Sequence, residues 1–452
     1  MRKSHVRREN LFSKSEWIGE FYPPNEFGKR FAGKVAYSPT DGAVLTFTVV
    51  EPIEPPDGVL LHGMIGQGIP CTAFGTFNPS FMGYFSGHSN QAKLGTVGLQ
   101  FFVIGEHLST ADRYKTISFA LTGLQDFFFP TGFPQQVKYE GKPIHTIGVD
   151  FGEVEIFQAV AFEFLDLNNI DGWVWSPDNN AMAAMRASLR AIAQERPRAG
   201  FMLRSDLAYK FTLKSQNGFS PREADKYIRS ISELFALLRF APTFPEEVFA
   251  SREDDARTPL LEVYPWLGLN QSIIDRAKEE QSHHSLPMTV KDIDLPLAVK
   301  RWLEINSRFD TIISSIQYDV GFRTPHSAHG DLVLFATQLE AISQEAGEPD
   351  NRKYAYPLEK FCFWPLKEKF ESLFRKAGVT DISVGISDLR NEIAHINRPK
   401  RLLSKFSVGD LMGIARCIQL VILSYVLDKV GIAESVREGY QERLLPWSEP
   451  SS

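Results

Sequence analysis

The hydrophobic period of the sequence changes near Ser220, and this change constrains the fold more than any other feature. Before it, β-branched and aromatic segments are separated by Gly, Pro, Asn or Asp, which is typical of strands and turns. After it, apolar residues recur every three or four positions, as in helices. Ser220-Pro221-Arg222-Glu223 is a capping box with Pro at the first helical position. The sequence therefore predicts an α+β multidomain protein, with a β-rich sandwich or barrel-like N-terminal domain and an all-α C-terminal bundle.

The length agrees with this division, because 452 residues exceed what one hydrophobic core usually holds. We predict a β-rich N-terminal domain at 1–215, a helical connecting region at 216–289 and a C-terminal helical domain at 290–452. The predicted strands are 34–37, 43–50, 59–62, 95–104, 115–122 and 153–165. The predicted helices after the connecting region are 296–317, 331–345, 358–377, 387–397 and 408–429.

Composition excludes several classes of protein. A hydrophobic share of 43% with 12% aromatic residues is typical of a packed globular chain. The three cysteines lie far apart and form no C-x-x-C motif, so they indicate neither a disulfide framework nor a zinc site. No apolar segment follows the basic first ten residues, which argues against secretion and favours the cytoplasm.

One apolar stretch, 411–427, approaches the length of a membrane span. It contains Arg416 and Gln419, and Ser407 and Asp410 before it form the capping pattern of a soluble helix. We expect a buried helix there and no contact with a membrane.

The stretch from Ser387 to His395 combines groups that can act on a phosphate. On a helix Asn391 and His395 lie one turn apart on the same face, whereas Arg390 lies about 140° away from His395. Pro399 ends the helix, so His395 is predicted to lie in its last turn. An imidazole can move a proton near neutral pH, a guanidinium can bind a phosphodiester, and an amide can orient either group. No metal-binding cluster accompanies them, so the pattern indicates metal-free attack of an RNA 2′-hydroxyl on its own phosphate.

The spacing of Arg and His alone is weak evidence, because Arg276/His283 and Arg323/His329 have similar spacings. Only Arg390 is followed by Asn. We predict that Arg323/His329 lies in a loop and that Arg276/His283 lies on a charged helix. The alternative for the favoured motif is a helix end with a capping His and a solvated Arg.

The charge pattern supports a local RNA surface. The net charge of the chain is −6, which would repel RNA overall. Residues 366–405 nevertheless carry nine Lys/Arg against five Asp/Glu, a net +4. We predict phosphate contacts from the basic residues after the motif: Arg398, Lys400, Arg401 and Lys405. The alternative is a solvated basic face.

Arg-Asn-x-x-x-His near a helix end, followed by a basic turn and a long apolar helix, resembles the HEPN domain. The whole chain resembles the ApeA group of prokaryotic anti-phage HEPN proteins, through Trp17-Ile18-Gly19-Glu20-Phe21-Tyr22-Pro23 and Phe31-Ala32-Gly33-Lys34-Val35-Ala36-Tyr37 in the N-terminal part. The resemblance implies a metal-independent endoribonuclease of abortive infection, without a cofactor, active as a homodimer through the C-terminal domain. It implies catalytic roles for Arg390, Asn391 and His395.

Other features have simpler interpretations. Gly66-x-Gly68 is predicted to be a turn, and the run Phe127-Phe128-Phe129-Pro130 to be core. The spacing of His62, His88 and His107 indicates no metal site. Adjacent His283 and His284 are predicted to be surface residues. Glu340 is predicted to be a solvated carboxylate, and the alternative is that it adds a polar group to the cleft.

Two hypotheses follow. In the first, the protein cleaves RNA, either tRNA or mRNA, and its N-terminal domain senses a phage-derived trigger or regulates the nuclease. In the second, the protein is non-catalytic: its β domain binds a glycan or phage protein, and its helical domain only dimerises.

Overall fold

The computed structural model describes residues 10–49, 60–75, 93–128, 141–164, 176–196, 202–253, 260–279, 281, 283–320 and 324–445. Its strands are β1 (Ser15–Tyr22), β2 (Phe31–Ser38), β3 (Gly42–Val49), β4 (Leu60–Ile65), β5 (Ile69–Gly75), β6 (Lys93–Ile104), β7 (Tyr114–Leu121), β8 (Pro143–Val149), β9 (Gly152–Phe164), β10 (Met202–Phe219), β11 (Pro245–Ser251) and β12 (Leu261–Pro265).

The helices are α1 (Gln125–Phe128), α2 (Asn179–Glu195), α3 (Pro221–Arg239), α4 (Gln271–Lys278), α5 (Leu295–Ile305), α6 (Asp310–Gln317), α7 (Pro325–Glu345), α8 (Ala355–Phe361), α9 (Leu366–Lys376), α10 (Ile382–Ala394), α11 (Val408–Lys429) and α12 (Glu434–Leu444). The predicted α+β class, with β structure first and helices after it, is confirmed.

In the part of the chain that the structure describes, the strands form one antiparallel sheet of order β3-β2-β1-β4-β5-β6-β12-β11-β7-β10-β9-β8. The first half of β6 also pairs with β3, from Ala43 opposite Leu99 to Val49 opposite Lys93. This pairing closes strands β1 to β6 into a barrel and removes two open edges. The remaining strands extend from β6 as an open sheet.

Two of these strands lie inside the segment 216–289 that was predicted to be a helical connection. β11 pairs with β7, and β12 pairs with β6, so both belong to the sheet. They are short and carry no alternating pattern, which explains why no strands were predicted there. α2 was also not predicted, although Asp178 caps it by accepting hydrogen bonds from the backbone N–H groups of Asn180 and Ala181.

Helix α3 is buried against both the sheet and the helical region. Its Phe235 contacts the rings of Phe127 and Phe211 on the sheet side. On the other side, Trp302 of α5 donates a hydrogen bond of 2.6 Å to the carbonyl of Ser230. One continuous cluster of buried side chains therefore runs from the barrel to α11. The predicted capping box at Ser220 is confirmed.

Several predicted helices have different ends in the structure. The predicted helix 296–317 is divided at Asn306–Arg308, which forms a 3₁₀ turn between α5 and α6. The predicted helix 358–377 is divided between α8 and α9, because Pro365 cannot continue a helix from Trp364. The charged helix predicted to carry both Arg276 and His283 ends at Lys278, so His283 lies beyond it. His283 and His284 lie in a partly exposed turn.

The predicted loop around His329 is wrong. Thr324 caps α7 through the N–H of Ser327, and Pro325 occupies the first turn, so His329 lies on the helix. Arg323 lies outside the described residues. α11 has the predicted bounds, and 78% of its most apolar window is buried inside the protein, as in a core helix.

The remaining structural predictions agree with the fold. Gly66 and Gly68 have positive φ angles in the turn between β4 and β5. Phe127 and Phe128 are buried in the core, whereas Phe129 and Pro130 lie outside the described residues.

The packing of α7 in the core can be tested by replacing Leu with Ala at a buried position and at an exposed position of the helix. Leu339 is fully buried and Leu334 is 41% exposed on the same helix. We expect Leu339→Ala to lower the free energy of unfolding by about 2–5 kcal/mol, since it leaves a cavity. Leu334→Ala, as the matched control, should cost less than about 1 kcal/mol. Chemical denaturation measures both, and equal effects would contradict the packing described here.

Candidate active site

The motif lies at the end of α10. Asp381 caps the start of this helix by accepting hydrogen bonds from the N–H groups of Ser383 and Val384, at 2.8 and 3.3 Å. The helix ends at Ala394, and His395 follows it with an extended backbone (φ −111°, ψ 113°). The prediction that His395 lies in the last turn is therefore corrected by one position. The chain leaves the helix at His395, four residues before Pro399.

The structure brings Arg390 and Asn391 into direct contact. Nη1 of Arg390 donates a hydrogen bond of 3.1 Å to Oδ1 of Asn391. The backbone N–H of His395 donates to the carbonyl of Asn391 at 3.1 Å, while its side chain is exposed. Arg390 is half-buried, and its Nε is buried with no hydrogen-bond partner among the described residues. The helix end thus carries a guanidinium that an amide helps to hold and, five residues later, an exposed imidazole.

Glu340 is an acidic residue whose charge interacts with that of Arg390. It is half-buried on α7, so the prediction of a solvated carboxylate is wrong. The hydroxyl of Tyr354 donates a hydrogen bond to its carboxylate, and Nζ of Lys353 lies 3.2 Å from it. Burial acts to raise the pKa of Glu340, but these hydrogen bonds and the charges of Lys353 and Arg390 outweigh it and lower the pKa below its ordinary value. Glu340 is therefore ionised and attracts Arg390.

The sequence did not predict the attraction between Glu340 and Arg390, because the two residues lie on different helices far apart in the chain. α7 and α10 pack against each other, and that packing alone places the two charges together. Phe335, Ala336 and Leu339 are buried on α7. The helical spacing of Glu340 from these residues is the sequence feature that places it near the core side of the helix.

A second acid, Glu392, organises the basic turn after the motif. It is only 5% exposed, and its carboxylate accepts hydrogen bonds from the backbone N–H groups of Leu402, at 3.0 and 3.1 Å, and Leu403, at 2.8 Å. Hydrogen bonds from backbone N–H groups to a carboxylate are stronger than those between neutral groups, so they can fix the loop that joins the two partners. Glu392 therefore closes the segment from Ile396 to Arg401 into a defined loop.

Three of the four residues predicted to bind phosphates have partners within the protein. Nζ of Lys400 donates to the carbonyls of His395, at 2.8 Å, and Glu392, and Nζ of Lys405 donates to the carbonyl of Ala377 at 2.8 Å. Arg398 pairs with Asp388 at 3.1 Å. Arg401 is exposed and makes no ion pair with any residue that the structure describes. Lys400 thus stabilises the turn, and Arg401 is the cation most available to a ligand.

A different pair of histidines is brought together in the barrel. The rings of His62 and His107 stack with centroids 4.7 Å apart, and Nε2 of each lies 2.9 Å from a backbone carbonyl, of Leu108 and Gly63 respectively. Within the described ranges no three His, Cys, Asp or Glu side chains are grouped so that they could hold a metal ion. His88 lies outside those ranges.

The comparison with protein families adds the decisive observation. Residues 16–302 match the family model described as ApeA N-terminal domain 1, which is more than half of the chain. The chain belongs to the ApeA family. Membership in the ApeA family implies a role in anti-phage defence. Comparisons with curated proteins and with solved structures gave no match.

The ApeA match begins in β1 and ends within α5, so it covers nearly all of the barrel and the open sheet. It runs past residue 215, where the N-terminal domain was predicted to end. The motif on α10 lies outside the matched residues. The family match therefore gives no information on the function of the residues at the end of α10.

Glu392 gives a test of how the site is built. We expect Glu392→Gln to lower the free energy of unfolding by about 1–3 kcal/mol, because an amide accepts weaker hydrogen bonds than a carboxylate from the buried N–H groups of Leu402 and Leu403. The amide protons of these two residues should also exchange faster with solvent, as measured by hydrogen exchange. Glu371→Gln is the control, since Glu371 forms only an exposed ion pair with Arg375. Unchanged exchange at Leu402 and Leu403 would show that Glu392 does not hold the turn.

Proposed function

We propose that this ApeA-family protein is a metal-independent endoribonuclease whose site is formed by Arg390, Asn391 and His395, acting in a homodimer. The observation that carries the proposal is the end of α10, where the guanidinium of Arg390 is hydrogen-bonded to Asn391 one turn before an exposed imidazole. The N-terminal region would act as the sensor or regulator. Such a nuclease would halt a phage by destroying RNA, either tRNA or mRNA, in the infected cell.

The proposed reaction is an internal transfer at the phosphate. A base removes the proton of a 2′-hydroxyl, the 2′-oxygen bonds to phosphorus, and the bond from phosphorus to the 5′-oxygen breaks. An acid gives a proton to the departing 5′-oxygen. The products are a 2′,3′-cyclic phosphate and a 5′-hydroxyl. His395 is the group suited to move these protons, and Arg390 is suited to stabilise the negative charge on the phosphate as it becomes five-coordinate.

Glu340 and Asn391 act on Arg390 rather than on the RNA. The carboxylate of Glu340 attracts the guanidinium from the α7 side, and Oδ1 of Asn391 accepts a hydrogen bond from it on α10. A guanidinium held from two sides keeps its planar donors in one orientation, which favours recognition of a phosphate. These are positioning roles.

One motif supplies one imidazole, whereas the reaction needs a base on one side of phosphorus and an acid on the other. A second copy related by two-fold symmetry would supply the other group. The surface of α10 supports such a contact. At about 100° per residue, Val384 and Asn391 fall on one face of the helix. Val384 is 53% exposed, and Ile396, which follows the end of the helix, is 94% exposed.

RNA would approach over the basic turn. Arg401 is free to contact a phosphate, and the local net charge of +4 would attract the backbone. Arg398, Lys400 and Lys405 can contribute to the same field from their positions in the turn, because a charge acts at a distance even when its hydrogen bonds are used within the protein. Such contacts would position RNA without reading its bases.

The alternative is a non-catalytic protein whose β region binds a glycan or phage protein and whose helical region only dimerises. The half-buried Arg390 fits this alternative if the Glu340 contact serves stability alone. The test below separates the two.

We expect His395→Ala to lower the rate of tRNA cleavage by about 10²–10⁴-fold, because the imidazole moves the protons. Arg390→Lys should also lower the rate strongly, since an ammonium keeps the charge beside Glu340 but loses the planar donors. His326→Ala and Arg222→Ala are controls, as both side chains are exposed on α7 and α3, outside the basic segment 366–405. Purified proteins are assayed for cleavage and melting temperature together. Wild-type cleavage by His395→Ala, or loss only through unfolding, would favour the binding protein.

The dimer has its own test. Val384→Asp and Ile396→Asp should convert a dimer into a monomer, because each places a charge on the proposed contact face. Ile18→Asp changes a residue that is 73% exposed on β1, and it should leave the mass unchanged. Light scattering after size-exclusion chromatography measures the mass of each variant. A dimer that survives both substitutions on the α10 face would place the interface elsewhere.

A further inference from the structure

A cavity of about 540 Å³ opens between the region matched to the ApeA family and the C-terminal helices. Phe240 and Arg276 come from the matched region, and residues of α6, α7 and α11 form the opposite walls. The cavity lies away from the motif, at the other end of α7 from Glu340. Its size lies within the range of about 300–1,000 Å³ that small-molecule sites in proteins occupy.

A network of polar side chains builds the α11 wall. The guanidinium of Arg416 lies 3.8 Å from the centroid of the Phe240 ring, and its Nη1 donates a hydrogen bond of 2.9 Å to Oε1 of Gln419. Nε2 of the buried Gln419 donates in turn to Oγ of Ser315 at 2.7 Å. Phe240 itself has a left-handed backbone (φ 52°) at the end of α3. Arg416 is therefore fixed in place at the cavity.

The opposite wall carries the second guanidinium. Arg276 pairs with Asp319 at 3.1 Å, and both groups line the cavity. Asp331 of α7 and Tyr318 complete the polar lining, and the Tyr318 side chain is partly exposed. The cavity thus offers two guanidinium groups, two carboxylates and an aromatic face.

From this lining we infer that the cavity binds a mononucleotide. Guanidinium groups recognise phosphate oxygens, and aromatic rings stack on bases. Carboxylates accept hydrogen bonds from ribose hydroxyls, as they do in dinucleotide sites. The two acids balance the two arginines, so the cavity suits a ligand with one phosphate better than a triphosphate. The site is independent of the nuclease proposal, because nucleotide binding requires none of Arg390, Asn391 and His395.

The test is calorimetric titration of the full-length protein with AMP, GMP, CMP and UMP, beside ATP, adenosine and inorganic phosphate. We expect at least one mononucleotide to bind, and to bind more tightly than its triphosphate, its nucleoside or phosphate alone. Arg276→Gln and Arg416→Gln should each weaken that binding about tenfold or more, because each removes a charged hydrogen-bond donor. Arg252→Gln is the matched control, since Arg252 is also paired with acids, Glu106 and Asp112, but lies outside the cavity.

Tyr318→Leu keeps the inference testable if Arg416→Gln does not fold, because the Tyr318 side chain is 38% exposed and its loss should weaken stacking without unfolding the protein. The inference is overturned if no mononucleotide binds at about 1 mM, the weak limit at which binding is worth about 4 kcal/mol. It is also overturned if the affinity is the same in these variants as in the wild-type protein. RNA cleavage is not measured, so either result leaves the nuclease proposal unaffected.

Discussion

The burial of α3 on both of its sides is the constraint on which the rest of the structure depends. Phe235 packs into the aromatic cluster above the sheet, and on the other side the carbonyls of Ser230 and Leu237 accept hydrogen bonds from Trp302 and Tyr440, at 2.6 and 2.7 Å. From Ser230 to Arg239 every residue of α3 except Glu233 is buried, and a helical segment buried in this way must have neighbours on every side. The sheet and the helical region are thus joined through one core, and α5 and α12 are held by α3.

This shared core gives the helical region a fixed frame for the motif. α7 and α11 pack together, α10 packs against α7, and the electrostatic attraction between Glu340 and Arg390 follows from that arrangement. Two acidic residues have different roles at the end of α10. Glu340 attracts the guanidinium and Glu392 closes the turn, while His395 is left exposed.

Features that depend on local chemistry could be predicted from the sequence. Ser220 and Ser407 start helices through capping boxes, and α11 has the bounds that its apolar run predicted. Thr324 and Pro325 also have the residue types of a helix start, but Gly330 was interpreted as part of a loop, so no helix start was predicted there. Tertiary packing, which a single glycine does not override, keeps α7 helical through that position.

Features that depend on contacts between distant segments could not be predicted. β11 and β12 are strands because β7 and β6 offer them partners, and their own residues carry little strand pattern. Glu340 was predicted to be solvated because the residues next to it in the chain do not indicate that Tyr354 and Arg390 lie near it. In the candidate site, the three motif residues were found from spacing and residue type, whereas the groups that hold them were found only from the fold.

The chemical ends of the RNA fragments test the central claim most directly, because they report which oxygen attacks phosphorus. Purified protein is incubated with tRNA in excess EDTA, and the termini are identified by mass spectrometry and by their response to phosphatase and kinase. Attack by the 2′-hydroxyl predicts fragments that end in a 2′,3′-cyclic phosphate or the 3′-phosphate formed from it, each followed by a fragment with a 5′-hydroxyl. Cleavage that requires added Mg²⁺ and leaves 5′-phosphates would contradict a site made of Arg390, Asn391 and His395.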